Sequence, residues 1–259
     1  MNPSIVSFVY LVAGILFILG IKGLTKPKTA VRGNRLSALG MLVAVVITLL
    51  DSSIVNYNYI IAGVLVGGLI GAVMALRIQM TSMPQMVALL NGFGGGASLT
   101  IALAEYYSKL GSAPESFAAL LNPVAADANA FGVGAEGTIA VVAIGLTVLI
   151  GAVTLTGSFV AFAKLQELMK KSYGLPGGPT GNGIFLLCAL AAVVFLALNP
   201  GNSVAMVSIV GLALLLGLFL VMPIGGADMP VVIALLNSYS GIAAALAGFI
   251  LGNTVLIVA

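Results

Sequence analysis

Two asparagines lie deep inside apolar segments of the chain, in two similar sequence contexts. Asn91 and Asn237 each follow the proline of a Met-Pro pair by seven residues. In a helix that begins at the proline, this spacing places each amide about 10 Å from the helix start. An amide at that depth in hydrocarbon is costly unless it is hydrogen-bonded, so both side chains should face the interior of a helical bundle. Because alanine would serve packing alone, the two asparagines favour a hydrated path across a membrane.

The chain offers few side chains that exchange protons or bind metals. It contains no histidine and one cysteine, Cys188, and it shows no nucleophile beside a base and no pair of carboxylates. Intramolecular disulfides and cysteine-rich metal sites are therefore excluded, and we expect no metal or cofactor to bind within these residues. Asn, Ser and Thr hold water but do not store a proton near pH 7. A proton relay along the asparagines would need a titratable group from a partner.

Small and polar residues continue from the asparagines at helical spacing. Glycines in such stripes let membrane helices approach closely, and packing is the simpler explanation for them. A GxxxG ladder at Gly63, Gly67 and Gly71 has the same expected packing role. The stripes are Asn91, Gly95, Ser98, Ala102 and Glu105; Asn237, Gly241, Ala244 and Gly248; and Thr147, Gly151, Thr154 and Ser158.

The composition of this 259-residue chain indicates whether it folds in water or in a lipid membrane. Hydrophobic residues make up 61% and charged residues 7%, whereas a water-soluble surface needs about a quarter of its residues charged. The apolar runs are long and continuous, unlike the alternating strands of about ten residues in a membrane β-barrel. We therefore predict an all-α integral membrane protein, a polytopic helical bundle. Its eight spans are predicted at 4–21, 36–50, 57–76, 84–106, 137–163, 183–198, 203–222 and 230–252, the second and sixth being short.

Charges between the spans predict the orientation. Five basic residues follow the first span and none precedes it, the reverse of a signal peptide, so we expect the N-terminus outside. Threading eight spans from there places nine of the ten Lys and Arg residues in cytoplasmic connections, including Arg77, Lys164, Lys170 and Lys171. Only Lys109 falls outside. The apolar residues 254–259 are expected to begin a ninth helix, with a short apolar tail as the alternative.

The segments 83–95 and 229–241 repeat each other, with seven of thirteen positions identical. They open the fourth and eighth spans, which predicts two four-helix halves related by an axis along the membrane normal. Both segments place proline in the first helical turn, after a residue expected to cap the helix: Ser82 in one copy and Asp228 in the other. For Asp228, a cap alone and a functional carboxylate remain alternatives.

Residues 132–137 match the GxGxxG pattern of dinucleotide-binding proteins. No strand is predicted before them, and no acid follows at about 20 residues to hold a ribose. The segment instead leads into an apolar span. We therefore predict no nucleotide site there.

Several stretches of the chain carry a family resemblance. The most specific is PIGGADMPVV at 223–232, followed by LNSYSG at 236–241. Further stretches are 80–91, GAVT at 151–154 with TGS at 156–158, AF at 161–162 with KL at 164–165, and the first span with its basic connector. Together they resemble the membrane part of the β subunit of proton-translocating NAD(P) transhydrogenase, over essentially the whole chain.

The resemblance implies a complex that couples hydride transfer between NAD(H) and NADP(H) to proton passage across a membrane. Residues 1–259 would form a transmembrane proton-channel domain, truncated before a last helix and a C-terminal NADP(H)-binding domain. The NAD(H)-binding domain would belong to the α side, so neither nucleotide would bind within this chain. A multi-pass location in a bacterial inner membrane and a homodimer of αβ protomers are implied as well. Lipid is an expected partner and nucleic acid is not.

The resemblance also assigns roles to individual positions. The family's channel histidine falls at Asn91, as in a subgroup where a histidine on an α-side transmembrane helix takes the relay role. The family's cytoplasmic-face aspartate falls at Asp228, and a helix-packing glycine falls at Gly248. We expect a proton path between the fourth, fifth and eighth spans, completed by a histidine that a partner helix brings against the Asn91 face. Its lining would be Asn91, Ser158 and Asn237, with Ser98 and Thr154 nearby.

Two other functions suit the same sequence features. A secondary transporter of a small solute would also show parallel repeats and polar residues in the middle of its helices, and a membrane anchor would need no path at all. The sequence beyond Ala259 discriminates among them. A ninth span followed by a nucleotide-binding α/β domain would support the transhydrogenase, whereas a stop codon would favour the other two.

Overall fold

The computed structural model of the chain describes residues 3–51, 57–111, 131, 134–169 and 178–258. Within these residues the regular elements are all helical, and no strand is present. Two short 3-10 helices, Met80–Ser82 and Gly226–Asp228, precede α4 and α8. The α-helices are α1 (Pro3–Leu24), α2 (Pro27–Asp51), α3 (Tyr57–Arg77), α4 (Met83–Lys109), α5 (Ala135–Leu165), α6 (Pro179–Leu198), α7 (Ser203–Val221), α8 (Met229–Ile250) and α9 (Thr254–Val258).

Helices α1 to α8 are each long and apolar enough to cross a membrane. The eight predicted spans and the helical fold class are thus confirmed, and the chain is a multi-pass membrane protein. The prediction that the second and sixth spans are short was wrong, since α2 has 25 residues and α6 has 20. Both begin at a proline, whose fixed φ suits the first helical turn, so the helix extends through polar residues that the apolar pattern had left outside.

The first of two compact units comprises Met1–Gln79 and Asn253–Ala259. In it α1 packs along α2 around glycines: a Cβ at Gly33 would lie 2.6 Å from the carbonyl oxygen of Gly20, so only glycine permits this approach. The Tyr10 hydroxyl shares a 2.9 Å hydrogen bond with Thr48. The short helix α9 places Val255 against the side of α1 that carries Phe17. Helix α3, by contrast, has no buried residue.

The second unit, Met80–Gly252, is built around α5. Helices α4, α6, α7 and α8 all contact α5, which has the largest buried share of the eight spanning helices. Lipid tails are as apolar as leucine, so burial alone does not hold such helices together. Close van der Waals contact and interhelical hydrogen bonds must do so instead, and α5 carries the small residues that allow both.

Two glycine contacts fix the position of α5. Gly95 of α4 and Gly151 of α5 face each other, and a Cβ on either would come within 2.8 Å of the backbone of the opposite helix. On the other side of α5, a Cβ at Gly217 would collide with Thr156, whose hydroxyl donates to the carbonyl of Leu214 at 2.9 Å. Gly95, for which a packing role was predicted, lies at one of these close approaches.

The N-termini of α4 and α8 share a local structure. Each begins with Met-Pro directly after a 3-10 helix. The side chains of Ser82 and Asp228 make no capping hydrogen bond, so the predicted caps were wrong. Their ψ angles of 4° and −2° are not extended. The proline two residues after each of them is the second residue of its helix and removes one of the two N–H groups that a cap can reach. Asn202, with ψ of 91°, does cap α7 through the amide of Ala205.

Some sequence features lie outside the described residues. These are Lys170, Lys171 and the first two positions of the GxGxxG match, 132 and 133. The described part of that match runs from Gly134, which has a φ of 70°, directly into α5. Among the residues that the structure describes before α5, no strand is present.

Candidate functional site: a polar cluster between three helices

Asn91 lies at the meeting point of α4, α5 and α8. Its amide nitrogen donates a hydrogen bond of 3.2 Å to the hydroxyl of Ser158 on α5. The hydroxyl of Ser240 on α8 donates in turn to the amide oxygen of Asn91 at 2.6 Å. The result is a continuous hydrogen-bonded chain, Ser240 to Asn91 to Ser158, that crosses three helices. We call these three residues the polar cluster.

The polar cluster is enclosed within the second unit. Ser158 is fully buried and Asn91 is 6% exposed, while Ser240 is partly buried. Gly92 faces the side chain of Ser158, and a Cβ there would lie 3.3 Å from the Ser158 Cβ. The small residue thus lets the serine approach α4. An amide without a partner would be costly here, and the two hydroxyls supply both a donor and an acceptor.

Thr154 and Ser98 continue the polar face beyond the cluster. Thr154 is fully buried, and its hydroxyl donates to the carbonyl of Ile150 in its own helix at 2.7 Å. Ser98 is 6% exposed on α4, one turn beyond Gly95. Both are thus buried, on two of the three helices between which the proton path was predicted. Glu105, the last residue of the α4 stripe, instead pairs with Lys109 at 3.3 Å and is partly exposed.

Asn237 does not join the polar cluster. The expectation that it faces the bundle interior was wrong for this chain, because its side chain is exposed. The inward stripe of α8 is apolar and includes Ile233, Leu236 and Ala243. Asn237 follows Leu236 by one residue, a rotation of about 100° around the helix, and so points away from that stripe. Gly241 on the same face is exposed, with nothing within 4 Å of a Cβ, whereas Gly248 is buried.

The α8 residue that reaches Asn91 is Ser240, which the sequence analysis did not select. A signal for it was present: Leu236, Ser240, Ala243 and Ala247 follow helical spacing and lie on the inward side of α8. The repeat instead predicted an interior position for Asn237. Repeat-equivalent residues were expected to have equivalent surroundings, and here they do not.

A groove between α4 and α8 lies beside the exposed asparagine. It encloses about 400 Å³ and is lined by the start of both helices, including Pro84, Val87, Pro230 and Ile233. Asn237 is the one residue with a polar side chain among those that line it. Pro84 and Pro230 are repeat-equivalent, so the groove has similar walls on its two sides.

Hydrogen bonds also connect the end of α5 to the start of α4 and to the connection between α7 and α8. Gln85 on α4 donates to the carbonyl of Leu165, the last residue of α5, at 3.2 Å. Lys164 donates to the carbonyls of Met222 and, at 2.6 Å, Ile224, just after the end of α7. Asp228 is exposed at the start of α8, in the same connection.

The chemistry available to the polar cluster is that of amide and hydroxyl groups. Such groups orient water and pass hydrogen bonds along, but they do not hold a proton near neutral pH. Among the described residues no group of three His, Cys, Asp or Glu side chains is arranged to hold a metal ion. The cluster therefore suits a hydrated path more than bond-making chemistry.

Comparisons with known proteins agree with the architecture. Residues 6–259 match the model of the family described as NAD(P) transhydrogenase beta subunit. Two matching proteins of Rhodospirillum rubrum, both named NAD(P) transhydrogenase subunit beta, are each 40% identical to the chain over 263 aligned positions. The alignments cover all of this chain and 52% of each relative, so the chain spans about half their length. Since the family match covers nearly every residue and all eight spanning helices, this chain belongs to the NAD(P) transhydrogenase beta subunit family.

Proposed function

We propose that the chain forms the proton path of a proton-translocating NAD(P) transhydrogenase. The complete complex would couple hydride transfer between NAD(H) and NADP(H) to proton movement across the membrane. The buried hydrogen-bonded chain from Ser240 through Asn91 to Ser158 is the observation that carries this proposal. It places a polar, water-compatible contact within otherwise apolar helices, on the helices that the family resemblance indicates.

The polar cluster would act by orienting water. In the described hydrogen bonds Asn91 uses one of its two amide hydrogens on Ser158, which leaves the other for a water molecule. Ser98 and Thr154 extend the polar face along α4 and α5. Water held along this face would carry protons between a titratable group and the two membrane surfaces.

A partner helix would supply the titratable group. The chain has no histidine, and an amide does not store a proton near pH 7. We place an α-side transmembrane helix along the groove between α4 and α8, where Asn237 is exposed at its wall. A histidine on that helix would find a hydrogen-bonding partner in the Asn237 amide and would lie beside the helices that carry the polar cluster.

Asp228 would form the contact with the NADP(H)-binding domain. It is exposed at the N-terminus of α8 and makes no capping bond, so its carboxylate is available to a neighbouring domain. Neither NAD(H) nor NADP(H) would bind to this chain itself. Hydride transfer would occur in the nucleotide-binding domains and reach the membrane part through this contact.

Orientation and assembly complete the proposal. The distribution of basic residues supports an N-terminus outside, and the family resemblance supports a location in a bacterial inner membrane. The shared 3-10 and Met-Pro starts of α4 and α8 support two parallel four-helix halves. Small-residue faces on exposed helices support a homodimer of αβ protomers.

Reconstitution in liposomes tests the borrowed titratable group. The purified chain without its α partner should pass no protons, measured with a pH-sensitive dye inside the vesicles. The assembled complex should move protons when hydride exchange is driven by added nucleotides. Proton flux through the isolated chain would contradict the partner histidine. Hydride exchange without proton movement in the assembled complex would contradict the proposed function.

A further inference from the structure

Lys164 joins the end of α5 to the connection between α7 and α8. Its ammonium group donates to the carbonyls of Met222 and Ile224, the latter at 2.6 Å. The final carbonyls of a helix have no partner within the helix, and a cation placed at them is favoured by both hydrogen bonding and the helix dipole. Lys164 therefore holds the residues that leave α7. We call residues 222–228 the α7–α8 loop.

The α7–α8 loop is anchored at its first residue and directly after its last residue, and it is exposed between these anchors. Met222 and Met229 are buried, at 8% and 0% exposure, and both belong to a core cluster with Val160 of α5. Residues 225–228, including Asp228, are exposed. Lys164 adds polar contacts at the first anchor, where Ile224 is partly buried. A movement of the exposed part of the loop would thus act on α5 through Lys164.

Helix α5 leads directly from Lys164 to the polar cluster. Ser158 lies six residues before Lys164, about 9 Å along the helix axis. On α4, Gln85 lies six residues before Asn91 and donates to the carbonyl of Leu165. Both helices that form the Asn91–Ser158 hydrogen bond are therefore tied together at the end where the α7–α8 loop is held.

We infer that Lys164 is a positioning residue that couples the α7–α8 loop to the Asn91–Ser158 pair. Lys164 binds no nucleotide and does not carry the translocated proton. It transmits a displacement of the loop that contains Asp228 to α5, and this displacement changes the geometry of the polar cluster. This inference rests on the proposed function, because it gives the proton path a mechanical link to the domain that docks at Asp228.

The test compares Lys164→Met with Lys164→Arg in the assembled complex in liposomes. Methionine keeps much of the apolar stem and removes the donor, whereas arginine keeps both charge and donors. Lys109→Met is the matched control. It makes the same substitution at the C-terminal end of α4, where the lysine pairs with Glu105. The readout is the number of protons moved per hydride exchanged, with the hydride rate measured separately in permeable vesicles.

Lys164→Met should lower the number of protons moved per hydride several-fold, while the hydride rate in permeable vesicles stays close to that of the unmodified complex. Lys164→Arg should restore the ratio, and Lys109→Met should leave it unchanged. An unchanged ratio in Lys164→Met would overturn the inference. So would an equal loss of assembly, hydride rate and proton movement, because Lys164 would then only stabilise the fold.

A labelling experiment keeps this inference separable from the proposed function. Ile224→Cys is introduced into a complex with Cys188→Ser, and the rate of reaction with a water-soluble maleimide is compared with and without Lys164→Met. The rate should rise several-fold when the hydrogen bonds from Lys164 to the α7–α8 loop are removed, whether or not the complex moves protons. Equal rates would overturn the inference that Lys164 holds the loop, while absent proton movement in the unmodified complex would contradict only the proposed function.

Discussion

Asn91 has its amide between two hydroxyls from neighbouring helices, and Asn237, its counterpart in the repeat, faces a groove instead. The two residues stand at the same distance from a Met-Pro pair. Their surroundings differ because only α4 turns the asparagine side of the repeat toward α5. The same residue type therefore has a structural hydrogen-bonding role within this chain at position 91, and is available to a partner at position 237.

This difference gives a prediction for matched leucine variants. Asn91→Leu removes both hydrogen bonds and leaves the hydroxyls of Ser158 and Ser240 without these partners, which should destabilise the second unit by roughly 1–2 kcal/mol. It should also abolish coupled activity while sparing assembly, because the path would dry. Asn237→Leu in the isolated chain should leave stability unchanged. Thermal unfolding in mild detergent measures the stability of both variants. Equal losses of stability in the two variants would contradict the assignment of Asn91 to the bundle interior and of Asn237 to its surface.

Asp228 allows a second test at the level of one side chain. Because its carboxylate makes no capping hydrogen bond, Asp228→Asn should leave the melting temperature of the chain unchanged. The variant loses the charge, so coupled transhydrogenation should fall strongly in correctly assembled enzyme. Ser82→Ala, at the equivalent position of α4, serves as the control for a helix start that makes no cap bond. Full coupled activity in Asp228→Asn would mean that the carboxylate has no functional role.

At the scale of elements, α4 and α8 use different faces of one repeated sequence. Helix α4 buries Asn91 and exposes Leu90 at 51%, whereas α8 buries Leu236 at 1% and exposes Asn237. Leu90 and Leu236 are repeat-equivalent. The inward faces are thus rotated by about one residue, roughly 100°. The two helices share their local start but not their packing.

The glycines on these faces test the rotation. A Cβ at Gly95 would lie 2.8 Å from both the Gly151 carbonyl oxygen and the Thr154 Cβ, whereas a Cβ at Gly241 meets nothing within 4 Å. Gly95→Ala should therefore destabilise the bundle by about 1–3 kcal/mol through overpacking of α4 against α5. Gly241→Ala should be neutral or slightly stabilising, because alanine is the better helix former. The measurement is loss of helical signal on denaturation, and equal effects would mean that the two faces are equivalent after all.

At the scale of the whole molecule, the chain consists of a unit built on α1 and α2 and a unit built on α5. Helix α3 belongs to the first unit and has no buried residue. Its glycine ladder meets nothing within 4 Å at Gly63, Gly67 or Gly71. The predicted packing role of this ladder thus finds no partner in the described part of the chain, and a helix of another chain remains the expected partner.

The proposed homodimer is tested on this ladder. Gly67→Ile places a branched side chain where a neighbouring helix would approach, so it should lower the dimer fraction of the αβ complex in mild detergent. The melting temperature of the isolated chain should not fall, because the added atoms meet nothing in the described residues. Native mass measurement reports the dimer fraction. A single αβ protomer in the unmodified complex would remove the prediction.

The sequence alone determined that the chain lies in a lipid membrane, that its fold is all-helical and that it has eight spans. Composition and run length settle these features, because a segment of some twenty apolar residues with almost no charge has few alternatives to a membrane helix. The family also followed from sequence, through the specific order of residues at 223–241. Element bounds differ from the predicted ones where polar first turns are helical, as in α2 and α6.

Only the tertiary structure decided which polar residues meet. Sequence spacing places Asn91, Ser158 and Asn237 on helices, but it does not say which face of each helix turns inward. That choice depends on contacts between distant segments, such as the Gly95–Gly151 approach and the burial of Leu236. In an apolar solvent both faces of a membrane helix can be apolar, so hydrophobic periodicity does not mark the inward side. The contacts of Ser240 and Lys164 therefore depend on how the helices pack, because their partners lie far away in sequence.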